Sequence, residues 1–178
     1  MFRMLLTPAV ETDYAEIIDL ANWAYRGTGA SASWNIKAGV LEGQRLTESL
    51  IREDLATRPL GQLLIHRDAE DDKLLGIVWL DPRLDGVWYM GLLAVRPDEQ
   101  KRQLGRTLLA AAENFAIERG ARKIRMSVLH VRSTLIEWYA RRGYRLTGET
   151  EPFPYGDDRF GRPLRDDLHF LVLDKEVG

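Results

Sequence analysis

Three strand-like runs in succession constrain the fold of this chain more than any other feature of its sequence. The runs, at residues 62–67, 73–80 and 87–95, are rich in Leu, Ile, Val and Trp, and the two connections between them are short and polar. Apolar runs of this length joined by short polar turns are typical of an antiparallel meander. The sequence therefore predicts a sheet that contains three successive antiparallel strands.

Helices and further strands are predicted on both sides of this meander. Thr134 and Glu137 form a capping box, which predicts that the last helix starts there. A loop as long as 151–167 inside a compact domain is usually a functional lid or a binding loop. The elements predicted outside the meander are a strand at 2–7, helices at 13–25, 46–57, 104–120 and 134–142, and strands at 123–130, 144–150 and 168–175. The order of these helices and strands along the chain predicts an α+β domain around one mixed sheet.

Composition excludes several classes of function. The 178 residues are enough for one domain with a substantial core, and no cysteine is present, which excludes disulfides, thiolate metal sites and a cysteine nucleophile. A formal net charge of −2 gives no general attraction to nucleic acids or anionic membranes. No apolar run has the length of a signal peptide or a membrane span. We therefore expect a cytoplasmic protein without a metal, a nucleic-acid partner or a membrane partner.

A basic turn after the third run indicates a site for a phosphorylated ligand. In the segment VRPDEQKRQLGRTLL, the cations Lys101, Arg102 and Arg106 surround Gly105 where a helix begins. The backbone N–H groups and the dipole at a helix N-terminus bind phosphate, and glycine lets a diphosphate approach the backbone. The alternative is a solvated basic helix start with nothing bound.

From Val87 to Tyr144 the chain resembles the acetyl-CoA-binding core of the GNAT (general control N-acetyltransferase) superfamily. The family motif is Arg or Gln, two residues, Gly, one residue, then Gly or Ala, after a strand and a proline-containing turn; residues 100–105 occupy that frame. A tyrosine helix followed by Gly and an aromatic appears as WYARRGY, residues 138–144. Two positions depart from the family: Gln103 replaces the first glycine, and Arg132 replaces a common asparagine. Gln103 can still donate its N–H if its φ is negative.

The resemblance implies a single GNAT-like domain over residues 1–178, with a mixed, mostly antiparallel sheet of six to seven strands and about four helices. Residues 87–144 would form the acetyl-CoA-binding core, and similar proteins are often homodimers. The residues expected to bind acetyl-CoA are Leu93, Ala94, Val95, Gln100, Lys101, Arg102, Gln103, Leu104, Gly105, Arg106 and Arg132.

The activity implied by the family is direct transfer of an acetyl group from acetyl-CoA to an amine, without a covalent acyl-enzyme. Backbone groups at Leu93 to Val95 would hold the pantetheine arm and stabilise the developing oxyanion. Tyr139 would be the general acid that protonates the departing thiolate; the alternative is that it only packs against the sheet.

A protonated amine also needs a general base, and the strand at 87–95 contains no carboxylate. His130 is the first candidate, acting directly or through water, and His169 is the second. A lone histidine at either position can equally be structural, and a water chain could carry the proton instead.

The acceptor is expected between the loop after the first helix and the loop before the last strand. The candidate substrate-binding residues are Trp34, Arg45, Tyr89, Tyr155 and Arg159. Aromatic and charged groups together suit a small amine that carries a carboxylate, such as an amino acid or an amino-acid-like compound. The alternative is an ordinary polar surface loop. Trp79 and Trp88 either line this cleft or fill the core.

Two further functions are compatible with the sequence. The first is N-acetylation of a protein or peptide, which predicts an open groove instead of a closed pocket. The second is a catalytically silent acyl-CoA sensor or structural subunit, which the missing strand carboxylate and the two motif departures favour.

Overall fold

The computed structural model describes residues 4–27 and 40–178, except for the side chains of residues 100–102 and 160. Seven strands form one sheet in the order β1-β3-β4-β5-β6-β9-β7, and β2 pairs with β8 separately. The elements are β1 (Thr7–Pro8), α1 (Tyr14–Arg26), β2 (Leu41–Glu42), α2 (Glu48–Thr57), β3 (Gln62–Arg67), β4 (Leu74–Pro82), β5 (Val87–Val95), α3 (Leu104–Ile117), β6 (Lys123–Leu129), α4 (Ser133–Ala140), β7 (Arg145–Pro152), β8 (Arg162–Pro163) and β9 (His169–Glu176).

Both faces of the sheet are covered by helices. Leu63 and Ile65 of β3 pack with α1 and α2, whereas Leu64 between them packs with α3 and α4. This alternation follows from the two-residue period of a strand. It also explains why β3 and β4 are nearly continuous apolar runs, since a strand with two covered faces has no side for solvent.

The two central strands, β5 and β6, separate along their length. They pair in parallel at Val87, Trp88 and Tyr89 of β5, and from Met90 onward β5 has no partner on β6. The remaining neighbours in the sheet are antiparallel. The sheet therefore opens into a gap between the second halves of β5 and β6.

A β-bulge lies on the β5 side of this gap. Trp79 of β4 faces Gly91, and Ile77 faces Ala94, so Leu92 and Leu93 together oppose one residue of β4. Leu92 has a φ of 52°, in the left-handed region. A bulge of this kind turns the strand and removes one residue from the regular ladder.

The structure confirms an α+β fold with a seven-stranded, mostly antiparallel mixed sheet and four helices in the described chain. Three predicted details were wrong. Helix α4 starts at Ser133, after Arg132 at the N-cap and with no side-chain capping bond, so the Thr134 capping box does not set its start. Within the described residues, β1 covers Thr7–Pro8 only. The expected loop at 151–167 includes the end of β7 and the strand β8, which pairs with β2.

Candidate active site

The gap between β5 and β6 contains a pocket of about 280 Å³. Tyr25 of α1 lines it from one face of the sheet, and Tyr139 of α4 lines it from the other. The gap therefore reaches through the sheet. Its lining also includes Arg45, Tyr89, Gly91, Leu93, Ser127, Leu129, Arg132, Leu135, Glu151, Phe153 and Phe170.

Tyr139 is held in place by aromatic packing on two sides. Its ring contacts Trp138 at 5.1 Å and Tyr144 at 5.6 Å between centroids, in edge-to-face geometry. The side chain is buried, and burial raises the pKa of Tyr139 well above its usual range. A phenol in this position is protonated at neutral pH and can donate a proton into the gap.

A hydrogen bond from α1 holds the bulged backbone of β5 in place. The Tyr25 hydroxyl donates to the Leu93 carbonyl oxygen at 3.2 Å, and both residues line the gap. Because β6 has left the ladder, backbone groups of this part of β5 have no β6 partner. A strand edge without a neighbouring strand can bond to an extended ligand through its backbone N–H and C=O groups.

The basic turn leads directly into α3. Residues Pro97–Arg102 form a 3-10 turn and α3 begins at Leu104. Its first N–H groups have no acceptor inside the helix, so Leu104, Gly105 and Arg106 present donors at this end. Gly105 is buried and the Arg106 side chain is exposed. The side chains of Gln100, Lys101 and Arg102 lie outside the part of the chain that the structure describes.

Gln103 adopts a conformation opposite to the one expected. Its φ is 55° and its ψ is 34°, in the left-handed region, whereas donation of its N–H to a phosphate was predicted only for a negative φ. The chain must turn from the 3-10 segment into α3 at this residue, and glycine makes such turns without a steric cost. Its backbone carbonyl still starts α3, accepting from the Thr107 N–H at 3.1 Å.

Two arginines predicted for the site lie in the gap. Arg132 is half-buried beside Tyr25 and Tyr139, and this burial lowers the pKa of its guanidinium. Arg45 lies over the Tyr25 ring at 5.1 Å. The backbone before α2 is held by Asn22 of α1, whose Oδ1 accepts from the Arg45 N–H at 2.6 Å and the Leu46 N–H at 3.1 Å.

A second pocket of about 210 Å³ adjoins the first across β5. Arg45, Tyr89, Gly91 and Leu92 line both pockets. The other lining residues are Leu46, Ile51, Asp54, Arg58, Leu63, Trp79, Asp81 and Arg83. Trp79 thus lines this second pocket, whereas Trp88 belongs to the core. A Cβ at position 91 would meet the Tyr89 ring at 3.2 Å, so glycine there leaves more room where the pockets meet.

The charges of the second pocket do not balance. Asp81 is buried and pairs with Arg83 at 2.8 Å and with Arg58 at 3.7 Å, measured between Nε and Oδ2. Burial raises the pKa of the Asp54 carboxyl, while Arg45 and Arg58 oppose that shift. Three arginines and two carboxylates therefore line this pocket within the described chain.

His130 is not among the described residues that line the gap. Its ring stacks on His169, with 3.9 Å between centroids. The His169 backbone N–H approaches His130 Nδ1 at 3.3 Å, and Nε2 lies 3.9 Å from Asp167. The pair is positioned at the ends of β6 and β9, and its role as a base stays a prediction.

Two other predicted substrate residues brace the segment before β9. The Tyr155 hydroxyl donates to the Arg165 carbonyl at 2.7 Å and accepts from the Leu168 N–H at 3.0 Å. Arg159 pairs with Asp157 at 2.7 Å and with Glu53 of α2 at 2.5 Å. Neither lines the two pockets, and Trp34 lies outside the described residues.

The gap also contains a carboxylate that was not predicted from the sequence. Glu151 of β7 lines it, and the Ser127 hydroxyl of β6 donates to Glu151 Oε1 at 3.1 Å. The sequence pattern assigns Glu151 to a loop, one residue past the predicted strand. A longer strand would have put Glu149 and Glu151 on one face, but not next to Ser127, because β9 lies between β7 and β6.

The split sheet, the helix start that follows it and the protonated phenol together fit one class of protein, a transferase that uses an acyl-CoA. A model of the acetyltransferase (GNAT) family matches residues 14–144, and the chain belongs to that family. It is thus an acetyltransferase that transfers acetyl groups from acetyl-CoA.

Solved structures with the same fold come from enzymes of different specificity. A structure described as a putative phosphinothricin N-acetyltransferase superposes with a TM-score of 0.69 at 13% identity, over 98% of this chain and 99% of that one. Ribosomal-protein-alanine N-acetyltransferase from Brucella melitensis gives 0.67 at 16%, over 98% and 100%. A mutant of spermidine N-acetyltransferase SpeG from Vibrio cholerae gives 0.66 at 15%, over 97% and 95%. No curated protein sequence matches this chain.

Acetyl-CoA fits what the gap presents. Leu93 and Leu135 give it an apolar wall, the edge of β5 next to the gap offers backbone partners to a pantetheine arm, and the start of α3 offers N–H donors to a diphosphate. In residues 4–27 and 40–178, no group of three or more metal-ligating His, Asp or Glu side chains occurs, and no helix has the length and apolarity to cross a membrane.

Proposed function

We propose that this acetyltransferase acts on the amino group of a small molecule that also carries a carboxylate, as an amino acid or amino-acid-like compound does. The observation that carries the proposal is the second pocket, which joins the gap at Gly91 and is lined by three arginines and two carboxylates. The amine would enter the gap, and the carboxylate would extend into the second pocket.

Residues 87–144 are the proposed acetyl-CoA-binding core. The β5 edge from Leu93 to Val95 would hold the pantetheine arm and provide an N–H for the developing oxyanion, which is usually the largest contribution in acyl transfer. The α3 start at Leu104, Gly105 and Arg106, with the preceding turn, would hold the diphosphate. Arg132, which lines the gap, would place a positive charge beside the pantetheine arm.

Tyr139 is the proposed general acid. It lines the gap, it is buried among aromatic rings, and its raised pKa keeps the hydroxyl protonated. The hydroxyl would donate its proton to the sulfur of the departing CoA.

The charge of the second pocket favours an anionic group on the acceptor. Asp81 pairs with both Arg83 and Arg58, and Arg45 and Asp54 line the same pocket, so the arginines outnumber the carboxylates by three to two. An incoming carboxylate would balance the excess positive charge and could form bidentate bonds with a guanidinium. Two of the similar structures are described as N-acetyltransferases of different amines. Phosphinothricin, named for the first, carries a carboxylate, whereas spermidine, named for the second, carries only cationic groups.

The test measures the rate at which CoA is released from acetyl-CoA in the presence of a charge-paired panel of amines. Glutamate and phosphinothricin are each compared with the same amine lacking its carboxylate, and spermidine and a peptide that begins with alanine complete the panel. We expect turnover with the carboxylate-bearing amines and at least about tenfold lower kcat/KM without the carboxylate. Tyr139→Phe should lower kcat about 100-fold with the acetyl-CoA dissociation constant unchanged, because a general acid acts in the chemical step.

Two outcomes would contradict the proposal, and each would favour a different function. Preference for the peptide would favour protein N-acetylation, and turnover with no amine above background would favour an acyl-CoA sensor. A homodimer and a cytoplasmic location remain predictions, and light scattering of the purified protein tests the first.

A further inference from the structure

Glu151 reaches the gap from a strand that is not next to it. On β9, Glu151 faces Phe170 and Ser127 faces Val172, so β9 separates the two residues. The contact of 3.1 Å between Ser127 Oγ and Glu151 Oε1 therefore crosses a strand. Adjacent strands lie about 4.8 Å apart, so this bridge needs the length of a glutamate side chain.

Glu151 is also the single carboxylate among the described residues that line the gap. The other ionisable side chains there are Tyr25, Arg45, Tyr89, Arg132 and Tyr139. Burial raises the pKa of Tyr89 and of Tyr139, so both phenols stay protonated. The Tyr25 hydroxyl donates a hydrogen bond to the Leu93 carbonyl oxygen, and both arginines are cations at neutral pH. Glu151 thus offers the anionic proton acceptor that β5 lacks.

We propose that Glu151 accepts the proton of the acceptor ammonium through the Ser127 hydroxyl; this inference rests on the proposed N-acetyltransferase function. An N–H bond of the ammonium breaks as its proton moves to Ser127 Oγ. The Ser127 hydroxyl proton moves to Glu151 Oε1 at the same time. The products are a neutral amine with a free electron pair, an unchanged serine and a protonated Glu151, which is exposed and returns the proton to water.

The groups that face Glu151 come from several elements. Tyr89 faces it from β5, and Ser127 and Arg125 face it from β6. Arg125 is itself engaged by Asp174 of β9 at 2.8 Å. Arg45 and Arg132 line the same gap.

The experiment measures kcat/KM from about pH 6 to 10 for wild type, Glu151→Gln and Ser127→Ala, with the best amine of the charge-paired panel. At pH 7 we expect Glu151→Gln to be about 100-fold slower, a typical contribution of a general base. The defect should fall below about fivefold near pH 10, where the free amine needs no base. Ser127→Ala should be about tenfold slower at pH 7, because water can replace the hydroxyl. Glu151→Asp, one methylene shorter, should resemble Ser127→Ala.

Glu149→Gln is the matched control, because it removes a carboxylate from the same strand that does not line the gap. It should keep kcat/KM within about twofold, and all variants should keep the acetyl-CoA dissociation constant. Activity of Glu151→Gln within about threefold of wild type at pH 7, or a defect equal at every pH, would overturn the inference. So would a pH-dependent defect of His130→Asn without one in Glu151→Gln. A wild type inactive with every amine would instead overturn the proposed function.

Discussion

Gln103 and Leu92 are two non-glycine residues with left-handed backbone at the active site. Gln103 starts α3 with a φ of 55°, and Leu92 forms the β5 bulge with a φ of 52°. The left-handed region costs an L-residue about 1–2 kcal/mol, because Cβ approaches the carbonyl oxygen. Leu92 lines the gap and Gln103 starts the helix that is proposed to bind the diphosphate, so the chain holds a less favourable local conformation at both places.

Replacing Gln103 with glycine should stabilise the protein. Glycine removes the steric cost but increases the entropy of the unfolded chain, so the net gain is up to about 1 kcal/mol in the free energy of unfolding. Urea denaturation measures it. The acetyl-CoA dissociation constant should stay within about tenfold, because the N–H donors proposed for the diphosphate belong to Leu104, Gly105 and Arg106. A larger loss would assign the binding to the amide side chain.

Ala110→Gly provides the comparison for this prediction. Ala110 is exposed within the same helix, α3, where the backbone is regular. Glycine there should cost about 1 kcal/mol. Loss of stability in both glycine variants would show that the left-handed backbone at Gln103 carries no steric cost.

Helix α1 positions the segment of Arg45, which is proposed to bind the acceptor, through one buried amide. Asn22 accepts from the backbone N–H groups of Arg45 and Leu46, and its Nδ2 donates to the Leu46 carbonyl at 3.1 Å. These three bonds join α1 to the segment before α2. Arg45, which lines both pockets, is therefore placed by its backbone.

Asn22→Ala should lower the free energy of unfolding by about 3 kcal/mol, because it leaves buried backbone groups without partners. It should also raise KM for the amine, since Arg45 loses its fixed backbone, while acetyl-CoA affinity changes little. Thermal unfolding and steady-state kinetics measure both effects.

Asn114→Ala, at an exposed position of α3, is the control and should stay within about 0.5 kcal/mol of wild type. Equal stability of the two alanine variants would show that the Asn22 bonds contribute nothing.

At the level of elements, local pattern was enough for the meander, α1 and α3. The run at 62–67 coincides with β3 and the run at 87–95 with β5, since strand period and turn residues are local properties. The two-residue strands β2 and β8 could not be predicted, because neither has an alternating pattern long enough to detect. Glu151 could not be assigned to the gap either. Its position depends on the order β6-β9-β7, which no local pattern contains.

For the whole molecule, the gap connects two cores. One core packs against α1 and α2 and the other against α3 and α4, on opposite faces of the sheet. A ligand in the gap would contact both, since Tyr25 and Tyr139 line it from the two faces. Its binding should therefore stabilise the complete fold.

Acetyl-CoA at about 100 times its dissociation constant should add about 2.7 kcal/mol to the free energy of unfolding. For a chain of this size, that corresponds to a Tm increase of about 5–10 °C. Differential scanning fluorimetry measures it. Acetyl-pantetheine, which lacks the diphosphate, should give less than half of that increase at the same concentration. An equal increase in Tm with both compounds would show that the turn before α3 does not bind the diphosphate.

The short ladder between β2 and β8 has a consequence for how this scaffold can change its specificity. Leu41 pairs with Pro163 and Glu42 with Arg162, and the side chains of Glu42 and Arg162 form an ion pair. The segments before α2 and before β9 are thus one unit where the acceptor is proposed to enter, although most of the sheet lies between them in the chain. A loop transplanted from a relative on one side alone would meet a mismatched partner. Exchange of acceptor preference should therefore require both segments to be grafted together.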